Sequence, residues 1–314
     1  MISLVADIGG TNMRIAQTNG VNSIDQIKKY KVTDYASPEA TLRAYMSEVG
    51  LDKVDQVCLA IACPINSDIV SMTNHDWSFS IKETKASLGL SKLFVINDFT
   101  AIALSVPFLS DEQKIKVGGG EAQTKQPIAV CGAGTGLGVA HVINANDKWI
   151  PLPGEGGHVD FAPNNDEEAY VLKFLANELG HVSAERLLSG QGIANIYRAL
   201  AAKSDVAEKA LEPAQVTEKA LANSCPVCKA SLDMFCEAIG SFAGNLALNL
   251  NTTSGVYIAG GVVPRFIEYV LNSSFRKRFD AKGRFEALNK NIPVYIVTEE
   301  QPGLLGAAAY LAQN

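Results

Sequence analysis

Val5-Ala-Asp-Ile-Gly-Gly-Thr-Asn-Met-Arg14 decides the architecture. Residues 2–6 are mostly apolar and predict a strand. Asp7-Ile-Gly-Gly-Thr-Asn12 predicts a tight turn, and residues 13–16 resume a strand, so the opening is a hairpin. The same plan restarts later in the chain. Residues 127–131 predict a strand, Gly132-Ala-Gly-Thr-Gly-Leu-Gly138 a glycine turn, and residues 139–143 a returning strand.

After each hairpin the pattern alternates strand and helix. Ser37-Pro38-Glu39 carries an N-cap, a proline for the first helical position and an acid for the first turn. Residues 56–62 and 93–96 predict strands, the second ending at Asn97-Asp98 before a helix at 99–106. Residues 118–126 are polar and glycine-rich and predict a loop or crossover. In residues 228–249, Leu232, Phe235, Cys236, Ile239, Phe242, Ala243 and Leu246 follow the helical spacing of a buried stripe. Strands at 256–259 and 292–297 and a helix at 302–313 complete the pattern. The expected fold class is α/β, duplicated, in two halves.

Composition sets the bounds. The 314 residues suit about two domains of ~150 residues. Hydrophobic residues make up 47% and charged residues 19%, a globular balance with ample material for a core. The net charge of -6 comes without a basic stripe, so a nucleic-acid partner is not expected. The start lacks a basic n-region, and no run approaches the ~20 apolar residues of a bilayer span, so a cytoplasmic chain without a membrane partner is expected. Of the six cysteines, Cys58, Cys63 and Cys131 lie in strand-like runs and suit buried thiols. Cys225-Pro-Val-Cys228 is a lone pair before the long helix, and is read as ordinary helix residues, because zinc needs four ligands and a redox role needs a thioredoxin-like context.

Two glycine segments have the makings of phosphate cradles. Gly9, Gly10 and Thr11 follow a carboxylate that phosphate would repel unless Mg²⁺ lay between, and the alternative is a plain Asx turn. Gly132, Gly134, Gly136 and Gly138 alternate around Thr135. A dinucleotide fingerprint would need a third glycine where Val139 stands and a helix afterwards, and no P-loop motif occurs. Gly260-Gly261 follows a short apolar strand, and fits either a flat ligand or a tight turn. Asn97, Asp98, Glu155, His158 and Glu185 are groups that grip sugar hydroxyls, although Asp98 alone could be an N-cap.

Together VADIGGTNMR (5–14), IACPINSDIVSMTNHDWSFS (61–80), VINDFTAIA (95–103), GAGTGLGVAHV (132–142), LPGEGGHVDFAP (152–163), GHVSAERLLSG (180–190), YIAGGVVPRF (257–266) and PGLLGAA (302–308) resemble the bacterial-type glucokinases of the hexokinase, actin and chaperone ATPase superfamily. The resemblance implies an actin-like (ribonuclease H-like) fold, with 1–108 plus 299–314 as a small domain, 109–298 as a large one, and a cleft between them. It implies ATP-dependent phosphorylation of D-glucose at the 6-hydroxyl, the first step of glycolysis. Ala6, Asp7, Ile8, Gly9, Gly10 and Thr11 match the first phosphate motif, with Asp7 acting on Mg²⁺ through water. Gly132, Gly134, Thr135, Gly136 and Gly138 match the second, and Gly260 and Gly261 the adenosine motif. Asn97, Asp98, Glu155, His158 and Glu185 match the glucose ligands, with Asp98 as catalytic base. A homodimer is also implied.

The repressor and sugar-kinase group normally carries a cysteine-rich zinc motif after its sugar-binding histidine. No cysteine lies between His158 and Cys225, which argues against that group. A non-catalytic sugar and nucleotide sensor is the alternative reading. Intact Asp7 and Asp98 speak against it, because binding needs no base.

Overall fold

In a computed structural model the chain forms two compact units, Met1–Ser110 with Ala145–Pro153 and Glu299–Asn314, and Asp111–Asn144 with Gly154–Thr298. The structure describes residues 2–72, 75–204, 206 and 210–314; Thr73 and Asn74 of the TNHDWSFS stretch lie outside them.

The first unit is built on a five-stranded sheet. Its strands are β1 (Ser3–Ile8), β2 (Asn12–Gly20), β3 (Ser23–Lys31), β4 (Gln56–Ile61) and, after the small β5–β6 pair (Ile69–Ser71, Ser78–Ser80), β7 (Lys92–Asn97). The order is β3-β2-β1-β4-β7. β1 runs antiparallel to β2 with Asp7 opposite Arg14, and parallel to β4, which is parallel to β7. Both sheet faces are covered, which explains the continuous apolar run of β4. Leu4, Ala6 and Ile8 enter one core cluster with Leu42 and Tyr45 of α1 (Pro38–Glu48). Val5, pointing the other way, enters a second with Ala60 and Ile96. The period of two therefore puts Asp7 on the Val5 face, at the C-terminal end of β1. Helices α2 (Ile81–Ser87) and α3 (Asp98–Ser105) flank β7 in sequence.

The second unit repeats the path. Its strands are β8 (Lys114–Gly118), β9 (Ile128–Ala133), β10 (Leu137–Ala145), β12 (Val256–Ala259) and β13 (Val294–Val297); β11 (Lys148–Gly154) follows β10 in the chain. They run in the order β10-β9-β12-β13-β8. β9–β10 is antiparallel, and β9, β12 and β13 are parallel, the arrangement of β2-β1-β4-β7. Helices α4 (Asp166–Leu179), α5 (Gly190–Lys203), α6 (Pro213–Leu221), α7 (Pro226–Leu250), α8 (Ile267–Asn272), α9 (Phe275–Asp280) and α10 (Glu286–Asn291) complete it. α7 is its spine, and Leu232, Phe235, Cys236, Ile239, Ala243 and Leu246 are all in the core. The chain then returns to the first unit as α11 (Pro302–Gln313), whose Leu304, Ala307 and Ala308 close the second face of the β1–β4 sheet.

Two expectations change. The turns are shorter than their glycine runs: Asp7 and Ile8 belong to β1, and Gly132, Leu137 and Gly138 to β9 and β10, leaving Gly134–Gly136 as the connection. Glycine has no side chain, yet its backbone pairs in a ladder as any residue does, and Gly132 sits opposite Gly138 and beside Ala259. Among the described residues no helix is long and apolar enough to cross a membrane.

Candidate active site

In the first unit the candidate residues gather around two strand ends. Asp7 ends β1 one residue before the turn, and its carboxylate lies 3.7 Å from the Arg14 guanidinium on the paired strand. The Asp7 side chain is 27% exposed. Burial pushes its carboxyl up to about 6; Arg14 opposes this, and the negative charge of Asp98 adds to it. The opening turn is closed by Gly9 N–H donating to Asn12 O at 2.9 Å, with Gly10 and Thr11 exposed at its tip. The side chains of Ala6 and Ile8 are fully buried beneath it. Gly303, in the first turn of α11, abuts the carboxylate, and a Cβ there would come within 2.9 Å of Asp7 Cγ.

At the end of β7, Asn97 and not Asp98 is the N-cap of α3. Its Oδ1 accepts from Phe99 N (3.0 Å) and Thr100 N (3.1 Å). That leaves Asn97 Nδ2 to donate to Asp98 Oδ1 at 3.1 Å, while Phe99 N reaches the same oxygen at 2.8 Å. Asp98, as first residue of α3, therefore has its carboxylate oriented by two donors at a helix N-terminus, where negative charge is favoured.

In the second unit, sequence-distant motifs come together around the β9–β10 connection. Gly134 N–H donates to Gly136 O (2.8 Å), and Thr135 is exposed at the apex. Glu185 Oε2 accepts from Leu137 N at 2.8 Å. A Cβ on Gly136 would collide with that same Oε2, so glycine leaves room for the carboxylate where it stands. The Gly260-Gly261 motif arrives on the neighbouring strand. Gly260 has φ +82°, its missing Cβ makes room for Ala133 O, and Val262 N donates to that oxygen at 3.1 Å. Gly260 thus satisfies the tight-turn reading, while Gly261 faces open space.

The loop with Glu155 and His158 packs on the same hairpin. Gly156 lies against Val139 and Gly157 against Leu137 O, while Glu155 and His158 are exposed. His158 N donates to Glu155 O at 3.0 Å. The loop continues beside the segment that carries half-buried Glu185, joined by Phe161 N to Val182 O (3.1 Å) and Ala184 N to Val159 O (2.8 Å). Sequence reading missed one contributor. Gly190, first residue of α5, donates its N–H to Gly134 O at 2.9 Å, which brings that helix N-terminus onto the glycine connection. The signal was there in Ser189, whose hydroxyl caps Gly192 N at 3.0 Å.

The family model for glucokinase matches residues 4–314. A glucokinase of Tolumonas auensis is 55% identical over 99% of this chain and 97% of its own length, and one of Yersinia enterocolitica is 53% identical over the same shares. Among solved structures, a glucokinase from an Antarctic psychrotroph superposes with a TM-score of 0.93 at 38% identity, covering 100% of this chain and 99% of that one. A full-length family match, relatives above half identity and the repeated sheet topology converge on one assignment: the chain belongs to the glucokinase family.

Proposed function

We propose that the two residue sets above serve ATP-dependent phosphorylation of D-glucose at its 6-hydroxyl, giving glucose 6-phosphate and ADP as the entry step of glycolysis. The observation that carries this reading is the Glu185 carboxylate, which belongs by family resemblance to the sugar ligands and also accepts the Leu137 amide of the glycine hairpin. One side chain thus belongs to both the sugar set and the phosphate set.

Phosphoryl transfer passes through a loose transition state, so positioning and charge stabilisation carry most of the catalysis. Gly9 N–H and Gly134 N–H close their turns, while Gly10, Thr11, Thr135 and Gly136 offer exposed or half-exposed backbone and hydroxyl donors suited to phosphate oxygens. Gly261, with open space before it, offers a surface for the adenosine. Glu155, His158 and Glu185 fix the ring hydroxyls. Asn97, its Oδ1 engaged in the cap, contributes Nδ2, which sets Asp98. Asp98 accepts the proton of the 6-hydroxyl and aims the oxygen.

Mg²⁺ fits Asp7. The residue offers hard carboxylate oxygens whose charge is disfavoured by burial and by Asp98, a strain that a nearby divalent cation relieves. Asp7 would hold the ion, which would supply charge neutralisation for the phosphates. The family resemblance adds a homodimer and a cytoplasmic location. Light scattering on the purified chain tests the dimer.

The activity is tested by ADP release coupled to a reporter, with ATP and a panel of hexoses. Release that depends on glucose supports the reading. Hydrolysis of ATP to the same extent without sugar contradicts it, and binding of both ligands without turnover would favour the sensor alternative.

A further inference from the structure

Cys225-Pro-Val-Cys228 plays no part in the site described above, and its geometry is unlike that of the other thiols. Cys225 is the N-cap of α7, and its sulfur accepts the Cys228 amide at 3.3 Å. The N-cap side chain and the third helical residue share a face, so the Cys228 thiol also hydrogen-bonds the Cys225 sulfur. Cys228 is fully buried, whereas Cys225 is half-buried among the exposed residues Ala222, Asn223, Ser224 and Pro226. One sulfur can be reached from solvent, and the other waits behind it in contact.

We propose that Cys225 and Cys228 form a redox-active dithiol, with Cys225 the attacking thiol and Cys228 the resolving one, acting on low-molecular-weight disulfides. The Cys225 thiolate attacks one sulfur of the disulfide, forms a mixed disulfide and expels the first small thiolate. Cys228 then attacks the Cys225 sulfur and expels the second; its proton goes to the leaving group. The small disulfide is reduced by two electrons to two thiols, and the protein pair is oxidised to one intramolecular disulfide.

The surroundings favour the thiolate at Cys225. Partial burial of Cys225 works against it, but hydrogen bonds from the Cys228 side chain and amide and from the Val227 amide, with the charge of Lys219 on α6, bring it below its ordinary value. Cys58, Cys63, Cys131 and Cys236 move the opposite way. Burial pushes Cys131 and Cys236 up to about 12 and raises Cys58 and Cys63. A metal site is not implied, since the pair supplies only two ligands and no cluster of three or more candidate ligands occurs among the described residues.

The test exposes the folded chain to excess oxidised glutathione, followed by acid quenching, intact mass and peptide mapping. The expected result is loss of two hydrogens, located to the 225–228 peptide and reversed by dithiothreitol. Cys228→Ser should stop at a single glutathione adduct on Cys225. Cys225→Ser should show neither product; serine is itself a preferred N-cap, so helix content and melting temperature should hold. An unchanged wild-type mass, modification first at another cysteine, or a persistent unresolved adduct on wild-type Cys225 would each overturn the proposal. Iodoacetamide gives an independent reading. Cys225 should react severalfold faster in the folded chain than in the urea-unfolded one, and an equal or slower rate contradicts the attacking role.

Discussion

Replacing Glu185 should disturb ATP as well as glucose, although no nucleotide role is expected of a sugar ligand. Its Oε2 accepts the Leu137 amide at 2.8 Å, a hydrogen bond to a charged acceptor. Bonds of that type contribute about 1.5–3 kcal/mol. If the whole amount were lost from the phosphate-binding form of the hairpin, ATP affinity would fall about 10- to 150-fold. The connection keeps two other restraints, Gly134 N–H to Gly136 O and Gly190 N–H to Gly134 O. Those restraints place the expected effect of Glu185→Ala at the low end, about tenfold in KM for ATP. Glu185→Gln retains an oxygen acceptor without the charge and should fall between wild type and alanine. Initial rates over ATP at saturating glucose, with calorimetry of a non-hydrolysable ATP analogue in the absence of sugar, separate the two effects. A Glu185→Ala enzyme with a raised KM for glucose and unchanged nucleotide affinity would refute the shared role.

Asp7→Asn should make the protein more stable at neutral pH and less active. The folded-state value, raised from 3.8 to about 6, means the native chain holds the Asp7 proton over a window where the unfolded chain has lost it. Stability from this group is therefore present below 3.8 and is lost as pH rises through about 6. The full penalty is about 3 kcal/mol at ~1.4 kcal/mol per tenfold in proton affinity, and partial exposure reduces it to about 1–2 kcal/mol. Urea unfolding at pH 7 and pH 4 should show an advantage for Asn at pH 7 that closes near pH 4; a less stable variant at pH 7 contradicts this. Arg278→Met should cost about 3–5 kcal/mol, because it strands Glu168, which is 0% exposed and paired to Arg278 at 2.7 Å. Adding Glu168→Gln should recover part of that loss in chemical denaturation, and a single variant within about 1 kcal/mol of wild type would contradict the pairing.

The duplicated plan was legible because each half opens with two strands around a glycine turn, followed by apolar strands too continuous to face water. Composition hid the edges. β3, Ser-Ile-Asp-Gln-Ile-Lys-Lys-Tyr-Lys, is largely polar because it lies at the rim of its sheet, and β8 at the opposite rim of the other sheet carries two lysines. The extent of the glycine turns was misread for a different reason. Hairpin rules assign glycine to turns, whereas Gly132 and Gly138 pair within strands and Gly260 serves a close backbone approach. At the candidate site, Asn97-Asp98 was recognisable as chemically loaded, but both residues are good N-caps, and local preference does not say which side chain takes the amides. The bond from Glu185 to Leu137 spans 48 residues and has no local signature. The capping role of Cys225 could be read from its place just before Pro226, but its contact with the Cys228 side chain needed the helix itself.

The most direct measurement compares turnover and glucose binding in Asp98→Asn. Asparagine keeps an oxygen for the Asn97 and Phe99 donors, so the helix start and the sugar contacts should persist. The proton acceptor is removed. The account predicts a kcat about 10²- to 10⁴-fold lower with glucose affinity changed only severalfold. A variant that phosphorylates glucose at the wild-type rate would show that the proton of the 6-hydroxyl goes elsewhere.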